Sequence, residues 1–233
     1  MKLVNFYILL IALVIISCSK NDNYSLAYIE QTTGRYLYNS DEVIEVYFQN
    51  NELFMKWRGA NSIKPLKLKE KFFFVKEMNE KIQFLTNPND SILYLSLLSK
   101  EGEKSITYNF KKLKDTEKIP SDYLKNQQFE KALEGYLAIQ KKDSLDKSVN
   151  ESNFNTLGYH KLRKKDFEAA INIFKINVAL YPNNSNVYDS LADAYKKNGD
   201  TIQAINNYKK SLSLDSGNKR AKRNIERLKK KNE

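Results

Sequence analysis

Between Gly34 and Leu113, apolar positions recur with period two in short runs, the pattern of half-buried strands. Ile44, Val46 and Phe48 share a face opposite Glu45 and Tyr47, and Leu53, Met55 and Trp57 then alternate with Phe54, Lys56 and Arg58. Gln49-Asn50-Asn51 between these runs predicts a tight hairpin turn, because asparagine tolerates positive φ. Leu66 and Leu68 alternate with lysines, Phe72 to Val75 is continuously apolar, and Ile82 and Phe84 lead into the turn Asn87-Pro88-Asn89-Asp90. Leu93, Leu95 and Leu97 follow, and Ile106, Tyr108 and Phe110 end the series. This spacing predicts about eight short antiparallel strands in a meander that closes into a small barrel, since closure removes exposed edges. Tyr36, Tyr38, Trp57, Tyr94 and Tyr108 fall among these strands. They either fill the barrel or line a ligand pocket, and core filling is the commoner use of aromatics at strand spacing.

Past Leu113 the periodicity turns helical and the chain begins to repeat itself. Phe154, Leu157, Gly158, Ala170, Phe174 and Pro182 are followed by Tyr188, Leu191, Ala192, Tyr195, Ala204 and Tyr208. Four positions of the first set (Phe154, Leu157, Ala170, Phe174) recur 34 residues later (Tyr188, Leu191, Ala204, Tyr208). This segment resembles the tetratricopeptide repeat, which implies stacked helix pairs with small residues at close approaches and aromatics wedged between helices. Lys161 stands where the first copy should carry an aromatic, and Ser216 replaces the second copy's proline. Phe129, Ala132 and Tyr136 resemble the second helix of a degenerate earlier copy, offset by 38 residues, with Pro120 shortening its first helix. Asn198-Gly199-Asp200 is the turn within the second copy, Gly199 taking the left-handed conformation. Arg220 to Lys231 predicts a final helix with Ala221, Ile225 and Leu228 facing the array. Members of this family present a concave face from the first helix of each pair. At that spacing stand Asn155, Tyr159, Leu162 and Arg163, then Asp189, Asp193, Lys196 and Lys197, the candidate partner-binding groove. The Lys–Asn clamp with which some members hold a peptide C-terminus is not reproduced in these positions. His160 is expected on the surface.

The N-terminus changes the picture of where such a module works. One lysine and an eleven-residue apolar run, Phe6 to Ile16, have the layout of an export signal too short to span a membrane. Ile15-Ile16-Ser17-Cys18 resembles the lipobox of bacterial lipoproteins, which implies lipidation at Cys18. The polar stretch after Cys18 resembles surface-export signals of Bacteroidetes lipoproteins, and Lys20 disfavours inner-membrane retention. The expected location is the cell envelope, at the outer membrane, with the leaflet open.

The strand region, through its Gly34-Arg35-Tyr36 opening, Asn-Asn hairpin, Pro65-Leu66 step and Phe72-Phe73-Phe74 block, resembles the C-terminal β domain of serine hydrolases of the β-lactamase and penicillin-binding type. In that family the nucleophile lies in an S-x-x-K motif of a separate upstream domain. Ser17-Cys18-Ser19-Lys20 spells it across the cleavage site, where Ser17 would be removed.

Composition narrows the chemistry further. One Cys and one His among 233 residues exclude an intrachain disulfide, a thiolate-rich metal site and any site of two imidazoles. No nucleophile–base pair, phosphate-cradling glycine loop or paired-carboxylate signature stands out, so neither catalysis nor a cofactor is expected. The formal charge of +11 raises nucleic acid as a partner, but residues 209–233 alone hold ten basic and three acidic side chains. A basic end segment beside near-neutral domains fits a solubilising cap, and no nucleic-acid partner is expected. The sequence thus predicts an α+β chain in separate domains: a small antiparallel β-barrel or meander followed by an all-α tetratricopeptide array. The divisions are a signal peptide at 1–17, a tether at 18–27, the β domain at 28–113 and degenerate repeat helices at 114–150. Repeats at 151–184 and 185–218 and a basic capping helix at 219–233 complete the chain. Two functions fit: a lipid-anchored module that binds protein through its repeats, or an accessory or remnant part of a β-lactamase-like hydrolase system.

Overall fold

A computed structural model describes residues 23–69, 71–98 and 106–231, so Cys18 and the export signal lie outside the described residues. The described chain enters through helix α1 (Leu26–Thr32), whose N-cap Ser25 accepts from the Tyr28 backbone N–H at 3.1 Å. Nine strands follow: β1 (Gly34–Asn39), β2 (Glu42–Gln49), β3 (Glu52–Trp57), β4 (Ala60–Ile63), β5 (Leu66–Lys69), β6 (Phe72–Val75), β7 (Glu80–Thr86), β8 (Leu93–Leu97) and β9 (Phe110–Lys112). All pairs are antiparallel, in the order β4-β3-β2-β1-β9-β8-β7-β6-β5. The β2–β3 turn is the expected one, with Asn50 and Asn51 at φ 50° and 62°.

The expected closed barrel is not formed. The sheet curls into a half-barrel whose edges, β4 and β5, are separated in sequence by only Lys64 and Pro65 yet share no ladder. Both edges are four residues long, and the register slips in β3–β4 pairing between Met55 and Trp57 and in β5–β6 pairing between Lys67 and Lys69. Pro65 brings no N–H to β5, and its alternate lysines keep the edge solvated. Burial is completed instead by α1 and by Tyr24 just before its cap. Tyr24 packs on Phe48 at 5.3 Å between ring centroids, and Tyr28 meets Phe48 at 6.2 Å and Phe84 at 6.4 Å. The core beneath them holds Tyr36, Ile44, Met55, Phe73, Ile82 and Leu95, all buried. Tyr36 is fixed there by donating its hydroxyl to the Thr32 carbonyl at 2.7 Å. Two details also differ from the expectation: α1 spans the end of the presumed tether, and the last strand begins at Phe110, leaving Ile106 exposed.

The helical half comprises α2 (Pro120–Lys125), α3 (Phe129–Lys142), a 3₁₀ turn at Lys147–Val149, α4 (Glu151–Arg163), α5 (Phe167–Leu180), α6 (Ser185–Asn198), α7 (Thr201–Leu214) and α8 (Lys219–Lys231). Side-chain oxygens of Asp166, Asn184 and Asp200 cap α5, α6 and α7, each accepting from a first-turn N–H. Gly199 ends α6 at φ 86°. Two short-looped helix pairs, α4–α5 and α6–α7, therefore stack with the 34-residue period read in the sequence. Gly158 shows why the small position matters: a Cβ there would stand 2.5 Å from the Phe174 ring, which is fully buried. Helix α8 buries Ala221 and Ile225 against α7 and, Arg220 aside, leaves Lys219, Lys222, Arg223, Arg227, Lys229 and Lys230 exposed.

Candidate functional site

The first helices α4 and α6 lie side by side, so equivalent positions of successive pairs meet. Tyr159 and Asp193, 34 residues apart, are joined by a hydrogen bond from the tyrosine hydroxyl to Oδ2 at 3.0 Å. Asp193 Oδ1 accepts from the Tyr208 hydroxyl at 2.5 Å and from Lys196 Nζ at 3.0 Å. Arg220, from the first turn of α8, donates to Asp193 Oδ2 at 2.6 Å and pairs with Asp189. Ser190 donates its hydroxyl to Asn155 Oδ1 at 2.7 Å, and Lys196 Nζ reaches Asn224 Oδ1 at 3.4 Å. Asp189 and Asp193 are 4% and 8% exposed. The Asp193 carboxylate is tolerated at such depth because two cations and two hydroxyls surround it. Asp189 is held by Arg220 through Oδ2, and its buried Oδ1 has no hydrogen-bond partner among the described residues. Burial, reinforced by the Asp193 carboxylate, pushes the Tyr208 phenol well above its ordinary range and also raises Tyr159, so both remain donors at neutral pH.

Of the eight predicted groove residues, the structure thus joins Asn155, Tyr159, Asp189, Asp193 and Lys196 to one another or to α6, α7 and α8. Leu162 stays half-buried, and Arg163 and Lys197 are exposed, as is His160. The remaining predicted packing residues sit inside the array: Ala170, Phe174, Ala192, Ala204 and Tyr208 are fully buried, and Leu191 is 5% exposed. Leu157, Tyr188 and Tyr195 are half-buried, whereas Pro182 is exposed in the loop between pairs.

A second cluster, at the joint between sheet and array, was invisible to pattern reading. The tip of the β1–β2 hairpin enters the helical half. Asp41 Oδ1 accepts from the Ser121 backbone N–H in the first turn of α2 at 2.6 Å, and Oδ2 from the Tyr136 hydroxyl of α3 at 2.8 Å. Ser121 returns its hydroxyl to the Asp41 carbonyl at 3.3 Å, and Ser40 donates to Asp146 Oδ2 at 2.5 Å. Arg35 of β1 pairs with Asp122 and donates to the Glu117 carbonyl at 3.2 Å. Burial pushes the Asp41 carboxyl up to about 6, even though the hydrogen bonds from Ser121 and Tyr136 pull the other way. Turn residues such as Asn39-Ser40-Asp41 read in sequence only as a hairpin tip, and their partners lie 80 to 106 residues away.

Beside this joint, two adjoining cavities of about 400 and 390 Å³ share Leu124, Tyr136 and Leu157 as walls. The first is bounded on the sheet side by Asp41, Glu42 and Arg58 and by Lys147, Asn153 and Phe154 on the helical side. The second continues past Lys125, Phe129 and Lys161 to Ile173. The aromatics considered as pocket liners separate: Tyr36 is core, Trp57 and Tyr38 stack with Arg58, and Tyr94 pairs with Tyr108 elsewhere. Among the described residues no group of three or more His, Cys, Asp or Glu is placed to hold a metal ion, and no helix is long and apolar enough to cross a membrane.

No protein-family model matches the chain. Among curated proteins, the uncharacterized protein ycf37 of Cyanophora paradoxa is 28% identical over 144 residues, covering 62% of this chain and 84% of that protein. Among solved structures, the first TPR domain of human RPAP3 overlays 48% of this chain and 84% of its own at 19% identity and a TM-score of 0.35. The Arabidopsis OM64 TPR domain covers 48% and 88% at 21% identity and a TM-score of 0.34, and MamA covers 50% and 85% at 19% and 0.35. The chain's own 34-residue spacing, with Gly158 against Phe174 and capped helix pairs, makes its helical half a stack of repeated helix pairs.

Proposed function

We propose that this chain is a non-catalytic protein-interaction module, held at the bacterial outer membrane by a lipid on Cys18, whose helix pairs bind another protein. The observation that carries the reading is the stack of 34-residue helix pairs whose first helices are locked together through Asp193. Such locking pre-organises the face between α4 and α6, and a rigid face loses less entropy on binding. The half-buried Leu162 and the exposed cations Arg163 and Lys197 supply its accessible rim. The lipobox-like Ile15-Ile16-Ser17-Cys18 supports the anchor, and several acyl chains on one residue would make attachment stable. The half-barrel serves as a rigid flank, fixed to the array by Asp41, Ser40 and Arg35.

The test is affinity purification from membranes of the wild type and of Arg163→Glu/Lys197→Glu. Both substituted side chains are exposed, so folding is retained. Loss of a co-purifying protein in the double variant is expected; an unchanged partner set would contradict the reading.

A further inference from the structure

The layer of first helices is interrupted between α2 and α4. Helix α4 has 13 residues and α6 has 14, but α2 has six because Pro120 starts it. The 38-residue offset between Ala132 and Ala170 places Pro120 at the level of Gly158. The turns of α4 from Glu151 to Leu157 consequently have no first helix beside them on the α2 side, whereas α6 flanks them on the other. At about 1.5 Å per residue the missing neighbour is roughly 10 Å of helix, two turns. Part of that space is taken by the β1–β2 tip, where Asp41 receives the Ser121 N–H. At that level opens the first cavity described above, of about 400 Å³, and the second, of about 390 Å³, continues it alongside α2 past Lys125 and Gln127.

The walls of this cleft specify what fills it. Leu124, Phe129 and Leu157 are half-buried and line it with the rings of Tyr136 and Phe154. Its charged rim is uneven. Glu42 is engaged by Arg58, Lys161 by Asp166, and Asp41 by Ser121 and Tyr136. Lys125 and Lys147 are exposed at the rim and make no ion pair among the described residues. We infer that the cleft between α2 and α4 is a docking site for a helical segment of a partner protein. That segment is about two turns long, apolar toward Leu124 and Leu157 and acidic toward Lys125 and Lys147. It stands in for the missing turns of α2 and completes the layer. This inference rests on the protein-binding reading above and names a second contact, away from Arg163 and Lys197.

A random 12-residue peptide library displayed against the purified full chain tests it. Enriched peptides are expected to combine acidic and apolar residues at helical spacing. Their affinity should fall about tenfold for Lys125→Glu/Lys147→Glu, two rim charges reversed, and hold for Arg163→Glu/Lys197→Glu. Peptides that ignore Lys125 and Lys147 but are lost with Arg163 and Lys197 overturn the cleft and leave the interaction module standing. Enrichment of basic peptides also overturns it. No enrichment on the wild type over both double variants removes the cleft and the module together.

Discussion

Replacing Asp41 by asparagine should abolish one component of the pH dependence of folding. Its carboxyl is largely buried between the hairpin tip, α2 and α3, and it titrates near 6 in the folded chain against an ordinary 3.8. Because the folded-state value is the higher one, the folded chain holds this proton more tightly than the unfolded chain. Stability from this group is therefore fully present below 3.8 and is lost as pH rises through 6. At about 1.4 kcal/mol per pKa unit the whole loss is about 3 kcal/mol, of which about 2 kcal/mol falls between roughly pH 4.5 and 7.5. Asparagine can keep the contact with the Ser121 N–H and takes no charge into the joint. Urea denaturation of wild type and Asp41→Asn at those two pH values, followed through the single tryptophan Trp57, isolates the effect because all other titrating groups cancel. Asparagine should gain about 2 kcal/mol relative to wild type on going from the acid to the neutral condition. A companion Tyr136→Phe change removes a hydrogen bond that favours the charged form, so the wild-type transition should move to higher pH. An Asn-minus-Asp difference that is the same at both pH values would refute the buried-carboxylate account of this joint.

Other consequences follow from single residues. Gly158→Val places a branched side chain on the Phe174 ring, and its overpacking cost of about 1–3 kcal/mol should outweigh the gain in helix propensity, lowering the thermal midpoint. Asp193→Ala leaves the hydroxyls of Tyr159 and Tyr208 without this acceptor and the Arg220 guanidinium with Asp189 alone; a loss of about 3 kcal/mol in urea titrations is expected. Labelled palmitate should be incorporated into the wild type in cells and not into Cys18→Ala.

The helical half was legible because its information is local and periodic. A 34-residue recurrence fixes which helix pairs stack, and Gly158, Ala204 and Gly199 each stand where backbone approach or positive φ requires a small residue. The face of α8 was equally readable from Ala221, Ile225 and Leu228 at helical spacing. The same offset puts Tyr159 and Asp193 at equivalent positions, so stacking brings them together. Sheet closure could not be read, because strand pairing at β4 and β5 depends on accumulated curl and on α1 and the residue before its cap supplying Tyr28 and Tyr24 to the core. The joint was hidden for a related reason. Asp41, Arg35 and Ser40 gain their meaning from Ser121, Tyr136, Asp122 and Asp146, all more than 75 residues distant and on elements of another periodicity.

The central claim is that the face formed by the first helices of the repeats, and not the outer one, meets another protein. Photo-crosslinking in living cells tests it, with benzoylphenylalanine replacing Lys125 or Lys197 on first helices and Lys175 or Lys209 on second helices, all exposed. Adducts with one defined protein from Lys125 and Lys197 and none from Lys175 or Lys209 are predicted. Adducts confined to Lys175 and Lys209, or equal at all four, would contradict it.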